Sequence, residues 1–311
     1  MANPLDLGSP THVAIGATDL DASINWWTGL GFGVTTENTL EPEVAMHLFG
    51  LDGEIEQIEL RVDEAPGGAI WLVQVPPAKG SRGPFDSGPH AVGLYTTDLD
   101  ASLALAPDLG AQLGGRLEHR FGTLPSEEAS VIGPDGSVVV FIAVGERSPS
   151  VLDIHPEWLH SEIHSIVSTV RSADAANRFW GEQLGMTVTA DDLVDSGLGT
   201  LLQLPPSVGA RRTTVCDEFL NPIRSEFIEF VDFTGRSAAG TADMVSTWPL
   251  PPARPLGCFT VADVAASAAR MFRAGATFGE IVDLGNGCAI GGSKAIWGLD
   301  PNGIRFILAG H

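Results

Sequence analysis

The chain has little cysteine, little basic charge and no long apolar run, and each scarcity excludes a class of protein. Its three cysteines, Cys216, Cys258 and Cys288, are odd in number and lack C-x-x-C spacing. That argues against a disulfide framework or a structural zinc site and suits a reducing compartment. Lys and Arg total 17 against 39 acidic residues, so neither nucleic acid nor an anionic membrane is an expected partner. No run approaches the roughly 18 apolar residues a membrane helix needs, and no basic-plus-apolar leader precedes Thr11. No G-x-S-x-G occurs, and no cysteine has a histidine nearby in sequence, so signals for a nucleophile are missing. The expectation is a cytoplasmic protein, monomer or homodimer, that takes a small molecule.

What the chain does have is repetition. TDLDAS occurs at Thr18 to Ser23 and again at Thr97 to Ser102, and identity at that length with matching flanks marks an internal repeat. Each copy follows a short alternating run, THVAIGA or HAVGLYT, that reads as a strand. Each precedes an amphipathic stretch that reads as a helix ending at glycine. Asp19 and Asp98 stand where a helix N-cap belongs. The unit recurs in weaker form with Ser172 and with Asp263 as caps. Further strand-like runs follow each helix, two of them introduced by the tight-turn sequences GPDG (133–136) and DPNG (300–303).

The repeat is therefore strand, helix and about three strands, in four modules near 11–77, 89–145, 161–233 and 256–309. A Pro/Gly/Ser-rich linker, PPAKGSRGPFDSGP, separates the first two, and GRSAAGTADMVSTWPLPPARP separates the last two. A break near residue 150 suggests two domains, 1–150 holding modules one and two and 151–311 holding modules three and four. A chain of 311 residues supports two domains and a large core. Within it Trp26, Trp27 and Trp180 are expected on the buried helix faces. DLGNGCAIGGSKA, inside module four, reads as a loop.

These motifs resemble the vicinal oxygen chelate superfamily, which includes glyoxalase I, extradiol dioxygenases, and bleomycin and fosfomycin resistance proteins. The resemblance rests on His12 with TDLDAS and LGF, on the second TDLDAS with GPDG, on IHSIV, FW, LGM and IEF, and on DPNG. It covers nearly the whole chain. It implies an α+β fold of four βαβββ modules paired into two curved-sheet half-barrels, and leaves the reaction to be argued from the site.

Strand alternation places His12, Ala14 and Gly16 on the concave side of the first sheet and Val13, Ile15 and Ala17 against the helix. The equivalent concave positions are Ala91, Gly93 and Tyr95, then Ser165, Val167 and Thr169, then Leu256, Cys258 and Thr260. Tyr95 and Cys258 are thus candidate substrate contacts, and Trp71 a candidate aromatic wall for a flat substrate; a core role is the alternative. Relatives that use a metal hold it with His or Gln on a first strand and Glu on a last strand. Counted from the caps, only His12 and Glu229 fit, and His90 and His164 lie one residue early, so each needs a bulge to reach the concave face. Glu229, amid apolar neighbours, needs a partner: either a divalent metal (Fe, Mn, Zn or Ni) with His90 and His164, or one of Arg211, Arg212 and Arg224. His12 and Glu229 are the candidate catalytic groups.

Two classes of function remain. One is an enzyme, a dioxygenase, lyase or isomerase acting on a small oxygenated molecule, aromatic or hydrophobic. The other is a metal-free binding protein resembling the bleomycin-resistance members.

Overall fold

The structure is a computed structural model that describes residues 7–77, 86–121, 124–194, 198–201, 209–217, 223–231, 249–285 and 288–311. Most of the linker expected at 76–89 and most of the stretch at 235–255 fall outside the described residues. Module one comprises β1 (His12–Ala17), α1 (Leu20–Gly29), β2 (Gly33–Leu40), α2 (Pro42–Phe49), β3 (Ile55–Arg61) and β4 (Ala69–Gln74). Module two comprises β5 (Gly88–Thr96), α3 (Leu99–Asp108), β6 (Gln112–Phe121), β7 (Leu124–Ile132) and β8 (Val138–Val144). Module three runs β9 (His160–Thr169), α4 (Ala173–Ala176) passing into a π-helical segment (Asn177–Gln183), β10 (Thr187–Val194), α5 (Leu198–Leu201), β11 (Gly209–Cys216) and β12 (Arg224–Val231). Module four runs β13 (Pro255–Val261), α6 (Val264–Arg273), β14 (Thr277–Phe278), β15 (Val282–Asp283), β16 (Lys294–Leu299) and β17 (Arg305–Gly310).

All four expected caps form. The side chains of Asp19, Asp98, Ser172 and Asp263 accept from the backbone N–H three residues on, at 2.9, 2.9, 3.1 and 2.9 Å, satisfying a donor the helix itself leaves open. The two tight turns bind the starts of other modules' helices. Asp135 of GPDG accepts from the Thr18 backbone at 2.7 Å and from its hydroxyl. Asn302 of DPNG accepts from the Ser172 N–H at 3.2 Å and donates to the Ser172 carbonyl at 3.1 Å.

The sheets do not follow the consecutive halves. One sheet runs β14-β16-β17-β13-β1-β4-β3-β2 and joins module one to module four. The other runs β10-β11-β12-β9-β5-β8-β7-β6 and joins two to three. The seams are antiparallel, β1 on β13 and β5 on β9. Consecutive modules meet instead on the helix side. One core packs Val13, Trp26 and Trp27 of module one with Val92, Val139 and Phe141 of module two. Another packs Phe179, Trp180 and Phe227 of module three with Phe259, Met271 and Phe306 of module four. A split into 1–150 and 151–311 therefore describes the helix-side cores, and the first and last modules share a sheet. Among the described residues, no helix is long and apolar enough to cross a membrane.

Candidate functional site

The two concave faces carry different chemistry. In the sheet of modules one and four the bowl is filled. The sequence reading missed α2, although Pro42 at its first turn and Gly50 in the left-handed conformation at its end (φ 70°) are recognisable signals. Val44, Ala45, Leu48 and Phe49 of α2 pack onto Ala14, Trp71, Leu256 and Cys258. The expected loop 283–295 adds Leu284 and Ile290 to the same cluster, and Ala289 donates its N–H to Gln57.

Trp71 is fully buried (0% exposed), donates its indole N–H to Gln57 at 2.7 Å and meets Phe49 edge-on at 5.0 Å. It is a core residue. Cys258 is likewise core, with burial pushing its thiol far above the usual range.

His12 faces this bowl as expected, but its neighbours close around it. Its Nε2 lies 3.1 Å from Glu59 Oε1 and 2.9 Å from Arg61 Nη2, and its Nδ1 lies 2.9 Å from the Thr11 hydroxyl. Burial acts to raise the Glu59 pKa, but the bonds from His12, Arg61 and Thr35 and the Arg61 charge outweigh it and take the group down to about 2. With all its groups paired, the cluster is an internal ion-pair network.

The sheet of modules two and three encloses a cavity of about 650 Å³. Its presence follows from two bulges. The register of β5 on β9 skips His90 between Pro89 and Ala91, and skips His164 between Ser165 and Ile163. Each extra residue turns its side chain to the concave face, so His90 and His164 both line the cavity, with Tyr95. Glu229 does not. On β12, Arg224, Glu226, Ile228 and Phe230 line the cavity, and Ser225, Phe227 and Glu229 alternate to the other side. There Glu229 accepts the Ala173 N–H at 3.0 Å, at the favourable end of a helix.

The groups that do converge are chemically distinct. His164 is 5% exposed, stacks on Tyr95 with centroids 4.0 Å apart, and has no hydrogen-bond partner on either ring nitrogen. Burial, then the charge of Arg224, pushes its pKa well down. His90 is brought to about 4 by burial and by Arg254, against the opposing effect of Asp86. Arg254 donates to His90 Nδ1 at 2.9 Å. A guanidinium can only donate, so the neutral ring carries its proton on Nε2.

Burial raises the Glu226 pKa, with Glu128 adding to this and Arg212, Arg224 and Ser165 opposing. Arg212 is committed to Asp192 at 3.0 Å, and Glu128 to His119 at 2.6 Å. Among the described residues, neither Arg224 nor Glu226 has an ion-pair partner within 4.0 Å. Sequence reasoning missed Glu226 because β12 carries large apolar residues on both faces, which leaves the period of two silent.

The metal that the fold family implies does not fit this arrangement. Among the described residues, no group of three or more His, Cys, Asp or Glu side chains is disposed to hold an ion. His90 presents N–H rather than a lone pair at Nε2, and the charges of Arg212 and Arg224 bear on Glu226, opposing a second cation.

Comparisons with known proteins agree with the architecture. Residues 9–140 match the family model Glyoxalase/Bleomycin resistance protein/Dioxygenase superfamily. Glyoxalase I from Zea mays superposes with a TM-score of 0.60 at 15% identity, covering 97% of this chain and 92% of that one. A putative dioxygenase from Bacillus subtilis superposes with a TM-score of 0.66 at 9% identity, covering 98% and 86%. No curated protein matches the sequence. Residues 9–140 thus resemble the glyoxalase/bleomycin resistance protein/dioxygenase superfamily in sequence, and the chain shares the fold of these two structures along nearly its full length.

Proposed function

We propose that this protein is an enzyme that binds a small, partly apolar, oxygenated molecule between modules two and three and transfers a proton on it. The observation that carries this reading is Glu226, a carboxyl on the cavity wall that has no ion-pair partner among the described residues and whose pKa is raised by burial. A raised pKa brings a carboxylate closer to the weak carbon acids from which it would take a proton. In the reaction Glu226 accepts a proton from carbon next to a carbonyl. The electron pair of the C–H bond moves to the carbonyl oxygen, and the resulting enolate oxygen faces the His164 ring. Return of the proton to the same carbon from the other face completes a racemisation without a redox partner. Val140, Ile142 and Phe230 supply the apolar wall. Three free cysteines support a cytoplasmic location in this reading.

The experiment is exchange of carbon-bound hydrogen with solvent deuterium, followed by NMR over a panel of small ketones and oxo acids. Wild type and Glu229→Ala are expected to accelerate exchange alike. Glu226→Gln is expected to lose at least about 100-fold while still binding the same compound. Binding without exchange by wild type would establish instead a binding protein, a reading that the mainly apolar wall of the cavity favours.

A further inference from the structure

We propose that the ligand of this cavity is a monocarboxylate with an oxygen on the adjacent carbon and an apolar tail, its carboxylate held by Arg224 and its adjacent oxygen by His164. The proposal rests on the reading that this cavity is the working site, and it narrows the substrate to a chemical class. Three of the groups that line the cavity carry the proposal. Arg224 is a guanidinium with no carboxylate partner among the described residues, and it lines the cavity half-exposed. His164 is more than nine-tenths buried, lines the same cavity and has both ring nitrogens unpartnered. Glu226 is the third. A guanidinium prefers a planar anion that takes two parallel N–H bonds, which a carboxylate supplies. A buried imidazole with no partner loses free energy until something bonds it, and a carbonyl or hydroxyl oxygen next to the carboxylate does so.

The spacing suits one molecule. Arg224 pairs with Ser165 across the parallel β12–β9 ladder, directly beside His164. Glu226 lies two residues along the same strand face, roughly 7 Å from Arg224 at ordinary strand rise. A carboxylate on Arg224 and its neighbouring oxygen on His164 then bring the next carbon of the ligand toward Glu226. The charge is fixed at one. Glu128, Glu146, Asp191, Asp192 and Glu226 line the cavity against only Arg147, Arg212 and Arg224, and Arg147 and Arg212 are paired to Asp153 and Asp192. A phosphate dianion would meet that acidic excess with, among the described residues, one cation left unpaired.

The test is calorimetric titration of the full chain with 4-methyl-2-oxopentanoate, its methyl ester and inorganic phosphate, using wild type, Arg224→Met and His164→Phe, each checked for fold by circular dichroism. Wild type is expected to bind the acid at least tenfold more tightly than the ester and to bind phosphate undetectably. Arg224→Met, on a half-exposed position that tolerates the change, is expected to bind acid and ester equally. Equal binding of acid and ester by wild type, an unchanged preference in Arg224→Met, or no binding of the acid at millimolar concentration overturns the proposal, whatever His164→Phe does. Exchange on the ester or a neutral ketone with no preference for the acid would leave the proton-transfer reading standing and remove this one. Tight, Arg224-dependent binding of the acid without exchange would do the reverse.

Discussion

At the scale of the residue, the side chains that looked functional divide into those turned inward on a filled core and those on an open cavity. Trp71→Ala is expected to cost about 3–5 kcal/mol of stability, as for other buried tryptophans, measured by urea unfolding. Ligand affinity in the other sheet should not change. Buried titratable groups set the pH response. His90 and His160 are held down at about 4 and His164 well below its ordinary value, in each case chiefly by burial. The unfolded chain protonates these rings from about pH 6.5 and the folded chain does not, so stability falls as pH drops from 6.5 toward 4. Asp300, raised to about 6 by burial against its hydrogen bonds, acts in the opposite direction, losing its contribution as pH rises from 3.8 through 6. The expected result is a Tm that falls between pH 7 and 4.5, with a shallower fall in His90→Gln, whose amide oxygen still accepts from Arg254. An unchanged slope would place the neutral His90 ring in doubt. The sequence revealed His90 and His164 but not their orientation, because one inserted residue reverses the face of a strand and leaves no trace in composition.

At the scale of the element, the four strand-helix junctions were legible because a cap is a local event, a side-chain oxygen meeting an N–H three residues away. The partners of those junctions were not, since the turn that binds each lies more than a hundred residues on in sequence. GPDG and DPNG read only as reversals, yet Asp135 and Asn302 each secure the start of another module's helix. Replacing either with Ala is expected to cost about 0.5–1.5 kcal/mol, the net range for an intramolecular hydrogen bond. Because one turn serves the core of modules one and two and the other that of three and four, the double variant should lose close to the sum. Urea unfolding of the two single variants and the double variant measures this, and a marked excess over the sum would mean that the two cores are coupled. The same reasoning explains why α2 was passed over: its eight residues interrupt the repeat, so the search for a common unit hid them.

At the scale of the whole molecule, the four-module architecture was readable from the repeats, whereas the choice of sheet partners was not, because modules of one design offer similar edges. That choice decided where a ligand can enter. Modules one and four met with α2, Leu284 and Ile290 filling their bowl, and modules two and three met with theirs open. It also ties the molecule to an order of assembly. The seam of β5 on β9 joins neighbours in the middle of the chain, so it closes a short loop, while β1 must wait for β13 near the other end. Long-range pairings pay their loop entropy before they gain contacts, so pulsed hydrogen exchange during refolding should protect β5 and β9 before β1 and β13. On a ribosome the contrast sharpens: strand β1 pairs with β4 early but stays without β13 until module four has emerged. The sheet that carries the cavity is then in place first, while the remaining sheet is still being assembled.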